Sequence, residues 1–124
     1  MKDLIKTAIE QIEADGWVYL IGSDGDKSGL FKVMPDGSQA QLMYGCNIYP
    51  SFLSDRLESI WKVEDGWLYF RVKSALYRER DDPDDPYCEP DSYVDYISYK
   101  MKIDGTELTE NYRNRASIGT YSQP

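Results

Sequence analysis

The chain of 124 residues contains no histidine. That absence removes Ser-His-Asp and Cys-His catalysis, histidine-bearing zinc sites and the commonest general base at neutral pH. An enzyme would have to work with a carboxylate pair, a lysine, a tyrosine or a thiolate, and no spacing in the sequence singles one out. Cysteine is nearly as scarce. Cys46 and Cys88 have no C-x-x-C partner, so no disulfide framework is implied and two free thiols are expected. Long apolar runs are missing as well: the longest, at 17–21, falls far short of the roughly 20 residues that span a bilayer. The N-terminal stretch MKDLIKTAIEQIEADG intersperses charges and has no apolar core of a secretory signal. The expectation is a complete, soluble, cytoplasmic protein with no catalytic residues, cofactor or bound metal. Its length suits a single domain, 1–124, burying about two-thirds of its unfolded surface.

What is present in excess is negative charge, and it is local. Residues 81–91 read DDPDDPYCEPD, with six carboxylates, three prolines and no basic residue. Setting those six aside, the net charge of −8 becomes −2. This balance argues against nucleic acid or a membrane as a direct ligand, because phosphate binding needs a basic footprint. It favours a cation or a basic protein surface instead. Asp81, Asp82, Asp84, Asp85, Glu89 and Asp91 are the candidate partner-binding carboxylates. Tyr87, set among prolines and acids, is the candidate anchor, since tyrosine gives contact area and a hydrogen bond at little entropic cost. Two plainer readings compete: a solvated tip that guards a ribbon edge, and a weak divalent-cation site. A second acidic stretch, DGDKSG at 24–29, begins like a calcium loop but continues with Lys32 and Pro35 where ligands are required. It reads as a hairpin turn.

The order of elements follows from periodicity. Leu4, Ile5, Ala8, Ile9 and Ile12 form one stripe at helical spacing, with Asp3 as N-cap and Gly16 as terminator, which predicts an amphipathic helix over 1–15. From Trp17 the pattern turns to short aromatic and β-branched runs separated by turn residues, the pattern of strands. The chain then repeats itself. GWVYLI at 16–21 is echoed by GWLYFR at 66–71, and FKVMPDG at 31–37 by YKMKIDG at 99–105. Two matching pairs in the same order make an internal repeat, 16–44 and 66–112. The second copy carries an insertion, 77–94, which lengthens one hairpin and puts the carboxylates at its tip. The connection 45–65 is open: 51–62 has helical spacing after Pro50, yet Ile60–Val63 sits directly before Asp65-Gly66 as a strand would. The tail 113–124 holds a short strand at 116–121. The fold class is therefore mainly β, an N-terminal helix packed on a two-repeat antiparallel meander with one long acidic-tipped hairpin.

The D-G-W-[VL]-Y stretch, followed by an aromatic-Lys strand closing in Asp-Gly-[Ser/Thr], resembles the blade repeat of bacterial β-propeller-type proteins related to the YWTD and low-density-lipoprotein-receptor propellers. The resemblance covers about 15–44 and 58–112. It implies strand–turn–strand at ESIWKVEDGWLYF, a further strand and hairpin turn at KMKIDGTELT, and a role in binding other molecules. Propellers use four to eight blades and this chain has two, so either copies assemble into a ring or the strands close against the helix. Three functions follow in order: a protein-binding module, in its sharpest form an acidic immunity-type inhibitor of a basic, nuclease-like toxin; a structural repeat fragment that self-assembles; and a small carboxylate-based enzyme.

Overall fold

The computed structural model describes residues 4–80, 82, 84–87 and 90–120. Among these residues one helical turn, α1 (Leu4–Thr7), precedes nine strands: β1 (Glu10–Ala14), β2 (Trp17–Ser23), β3 (Ser28–Val33), β4 (Gln41–Gly45), β5 (Arg56–Glu64), β6 (Trp67–Lys73), β7 (Tyr77–Glu79), β8 (Asp91–Lys102) and β9 (Thr109–Thr120). They form two antiparallel sheets. The first runs β1-β2-β3-β4. The second runs β5-β6-β8, with β7 extending the line of β6 along one edge of β8 and β9 pairing along the other. Among the described residues no helix is long and apolar enough to cross a membrane.

The repeat is visible in the turns. Asp15 and Gly16 both adopt positive φ (53° and 81°), as do Asp65 and Gly66 (52° and 80°). Each pair closes a two-residue hairpin, with Ala14 opposite Trp17 and Glu64 opposite Trp67. Positive φ at both central residues is the turn whose twist matches paired strands. The second turn recurs as closely. The Asp36 carboxylate accepts from the Ser38 amide at 2.9 Å and hydroxyl at 2.6 Å, and Asp104 accepts from Thr106 at the same two distances.

These turns overturn part of the expected helix. Among the described residues only Leu4–Thr7 is helical, and Glu10–Ala14 pairs with β2 as a strand. Leu4 and Ile5 of that turn, with Ala8 just after it, pack on one apolar cluster. Beyond it, Ile12 and Ala14 alternate with charged neighbours at period two, leading into the same Asp-Gly hairpin that follows β5. Glu10–Ala14 thus leads into Asp15–Gly16 as Arg56–Glu64 leads into Asp65–Gly66. The connection 51–62 is resolved the same way: 51–54 is irregular, and Arg56–Glu64 is a strand. The last strand is also longer than the short one read at 116–121.

The two sheets stack in the same sense. Tyr19, Ile21 and Leu30 project from one face of the first sheet. They pack against Leu57, Ile60, Leu68, Phe70, Val72 and Met101 of the second. By the repeat, those second-sheet residues occupy the opposite face: Leu68 and Phe70 correspond to Val18 and Leu20. Val18, Leu20, Phe31 and Val33 form a smaller cluster on the far side of the first sheet, covered by Leu4, Ile5 and Ala8. Each fully buried Leu, Phe or Val contributes about 1.5–3 kcal/mol, so the interface between sheets outweighs any single hairpin. Glu10 adds a polar tie, its carboxylate accepting from the Ile60 amide at 3.1 Å.

Gly29 tests how closely β3 and β4 approach. Its φ is +141°, and a Cβ built there would lie 2.1 Å from the Tyr44 carbonyl oxygen. Gly29→Ala is expected to lower stability by about 2–5 kcal/mol, combining backbone strain with a clash. Gly16→Ala, with no atom within 4 Å of its Cβ position, should cost about 1–2 kcal/mol. Urea midpoints of the two variants would check the ordering.

Candidate partner-binding surface

The acidic ribbon is built on an unusual buried charge. Asp95, in the middle of β8, is fully buried. On the neighbouring strand it meets Arg115 in register, with Arg113 two residues away on the same face. Arg113 Nη1 donates to Asp95 Oδ2 at 2.7 Å, and Arg115 Nε donates to Oδ1 at 2.9 Å. The Asp95 amide donates to the Ser74 hydroxyl at 2.7 Å, and its carbonyl accepts from the Ser74 amide at 2.8 Å. A buried carboxylate costs several kcal/mol to desolvate unless it is paired and hydrogen-bonded. Here two guanidinium groups satisfy it, and both keep about half their surface in water. Each arginine has a second acid: Arg113 bonds Glu110 at 2.6 Å, and Arg115 lies 3.8 Å from Glu79. Arg115 is also held between the rings of Tyr77 and Tyr93, at 5.4 and 5.6 Å from their centroids. The cluster ties β7, β8 and β9 together at the base of the ribbon.

The break between β6 and β7 has its own support. Ala75 donates its amide to the Asp55 carboxylate at 2.9 Å, and Leu76 donates to the Phe52 carbonyl at 3.1 Å. These bonds hold the irregular loop before β5 against the ribbon. They leave Phe52 71% and Leu53 94% exposed, with Tyr49 close by in sequence and also exposed.

Above this base, Tyr77–Glu79 pairs with Asp91–Tyr93, and residues 80–90 connect them. Of the seven residues expected to meet a partner, Asp81 and Glu89 lie outside the described residues. The other five are distributed unevenly. Asp82 accepts from the Asp84 amide at 3.0 Å, and Asp85 from the Tyr87 amide at 2.9 Å, so two carboxylates also shape the turn. Asp84 is exposed and Tyr87 is 92% exposed. Among the described residues no basic group stands within ion-pair distance of Asp82, Asp84 or Asp85. Asp91 belongs to the ribbon rather than its tip: it is half-buried, opposite Glu79, and accepts from the Tyr93 hydroxyl at 3.3 Å.

No group of three or more potential metal ligands comes together among the described residues. Within 24–29 the turn is 24–27, and Ser28 and Gly29 already belong to β3: Asp24 accepts from the amides of Lys27 and Asp26 at 2.7 and 2.9 Å, and these bonds hold its carboxyl below the usual range. Cys46 is a free, half-buried thiol whose ionisation burial pushes up, with help from nearby Asp55. Burial likewise pushes its neighbour Tyr44 up to about 12. Cys88 lies outside the described residues.

Sequence reading did not find Asp95, Arg113 or Arg115. The available signal was an Arg-x-Arg on one strand and a lone acid at an inward position of an apolar one, and only strand pairing joins them. Compared with family models, with curated proteins and with solved structures, the chain matches none.

The arginines hold the Asp95 carboxyl below the usual range, Arg115 contributing most. A group with a depressed folded value adds stability that is present above its unfolded value, about 3.9. That contribution disappears as pH falls through the lower folded value. Asp95→Asn should therefore lower stability at pH 7 by about 1–3 kcal/mol, the scale of hydrogen bonds to charged groups. The difference from wild type should shrink below about pH 4. Urea titrations from pH 7 to pH 2 would show the two curves converging.

Proposed function

We propose that the protein is a non-catalytic protein-binding module whose acidic ribbon tip docks on a basic protein surface. In its sharpest form it is an immunity-type inhibitor that neutralises a basic, nuclease-like toxin by occupying the groove meant for phosphates. The observation that carries this reading is Tyr87: a ring 92% exposed, between carboxylates with no cation beside them among the described residues. Two carboxylates about 7 Å apart in water repel by roughly 0.6 kcal/mol, so Asp82, Asp84 and Asp85, with no cation beside them among the described residues, are under repulsion that a cationic partner relieves. The same charges steer encounter, raising association rates by roughly 10- to 1,000-fold at low salt. Exposed Phe52 and Leu53 beside the ribbon supply apolar area of the kind found at docking sites. The base of the ribbon is tied by Asp95, which lowers the ordering cost of binding.

The order of the sheets bears on self-assembly through the repeats. A third sheet stacking on the second in the same sense would meet Arg71 and Ser98, where the first repeat presents Ile21 and Leu30. That exchange favours a two-sheet unit over a ring.

The test is capture of proteins from the native host at low salt, with a control in which aspartates 81, 82, 84 and 85 are changed to Asn. The expected result is one basic protein that binds the wild type and releases as salt rises. Its association should be slower with the control by roughly 10- to 1,000-fold, and its nuclease activity should be suppressed by the wild type alone. Equal capture by both proteins, or no basic protein captured, overturns the proposal.

A further inference from the structure

Among the described residues the second sheet has one face with no protein layer on it, and that face carries cations and rings. Strand pairing places the side chains that alternate with Leu68, Phe70 and Val72 on the side away from the first sheet. These include Trp67, Tyr69, Arg71 and Lys73 on β6, and Tyr96, Ser98 and Lys100 on β8. Trp61, on the neighbouring β5, joins them at a bulge, its ring 5.2 Å from that of Tyr69. Tyr112 and Asn114 complete the far side, around a shallow depression that also includes Arg71, Tyr96 and Ser98.

Cations and rings interleave across this surface. Lys100 lies 4.5 Å above the Trp67 ring, and Lys73 lies 5.9 Å from that of Tyr96. Lys62 stands over both Trp61 and Tyr69 and is bonded to Glu64 at 3.0 Å. By contrast, Arg71, Lys73 and Lys100 have no carboxylate within ion-pair distance among the described residues. The rings at the two margins, Trp61 and Tyr112, are 48% and 62% exposed. Three strand spacings separate them, about 14 Å.

We infer that this face is a binding platform for single-stranded nucleic acid, with bases on the Trp61 and Tyr112 rings and phosphates at Arg71, Lys73 and Lys100. A flat ring beside a cation suits a base beside a phosphate, and stacking accepts any base because each has a π-face. A sulfated sugar would use the cations and leave the rings idle. An acidic peptide would gain little from two rings so far apart. The net charge of −8 argues against such a ligand only while the charge is taken as uniform. Asp91 is five residues along β8 from Tyr96, about 17 Å at the rise of a strand, and the tip is farther. That exceeds the Debye length of about 10 Å at 0.1 M salt, so the tip is screened from the platform.

The test is fluorescence anisotropy of a labelled oligothymidylate of about 12 nucleotides, a length that fits one small domain. The wild type should bind with a Kd of roughly 1–100 µM, the non-specific range. The slope of log affinity against log salt should be about −2, from three contacts at about −0.7 each. The variant Arg71→Gln/Lys73→Gln/Lys100→Gln should lose most of that slope. Trp61→Leu and Tyr112→Leu should each weaken binding roughly 5- to 150-fold, with unfolding midpoints recorded to show that the fold persists. The four-aspartate variant of the tip should bind the oligonucleotide at least as well as wild type, which separates this site from the tip. Absence of binding at low salt, affinity indifferent to both ring substitutions, or tighter ring-independent binding of heparin or a poly-glutamate peptide would each overturn the inference.

Discussion

The contact between the two sheets is the constraint on which the rest depends. Tyr19, Ile21 and Leu30 of the first sheet meet Leu68, Phe70 and Val72 of the second, so equivalent strands present opposite faces to the shared core. Stacking in one sense, rather than face to matching face, leaves two different outer faces to manage. The first sheet still has Val18, Leu20, Phe31 and Val33 to cover, and a single helical turn bearing Leu4 covers them. The second sheet has its Trp67–Tyr69 face left over, and there the repeat changes character. Ile21 gives way to Arg71 and Leu30 to Ser98.

The edges receive comparable treatment. β9 is a long strand at the margin of the second sheet, and most of its residues are exposed. A row of unpaired amides and carbonyls of that length invites pairing with other chains. Two register shifts interrupt it, opposite Ser92/Tyr93 and Ser98/Tyr99. Bulges twist an edge away from regular pairing, and Arg113 and Arg115 add charge to the same strand while neutralising Asp95. One pair of side chains thus secures the strand, satisfies a buried acid and guards the margin.

Charge is segregated by the same topology. Asp82, Asp84 and Asp85 lie in the connection between β7 and β8, and the cations with rings lie on the outer face of the second sheet. The Debye length of about 8 Å at physiological salt is shorter than the roughly 17 Å of strand between Asp91 and Tyr96. A net charge summed over the chain therefore describes neither of them.

The Asp-Gly-Trp hairpins and the Asp-Gly-Ser/Thr turns were legible in the sequence because local chemistry determines them: positive φ needs Gly or Asp, and a carboxylate reaches an amide two residues on. The strand content and the internal repeat follow from the same short-range signals. The helix over 1–15 misled because Leu4, Ile5, Ala8, Ile9 and Ile12 fit a period of 3.6. Pairing with β2 decided the second half, and a strand that completes a sheet satisfies its backbone in a way that an isolated stretch cannot foresee. The acidic stretch was plain as composition, but its place on a tied ribbon depends on Asp95 finding Arg113 and Arg115, residues 18 and 20 positions away. The basic, aromatic face was invisible for the same reason. Its members come from four strands spread over 56–114, and only the order β5-β6-β8-β9 lays them side by side. Turns and strands were the sequence's own to determine, since their causes lie within a few residues. Which side chains share a face was decided by tertiary structure, because register and sheet order are set by the burial of a common core.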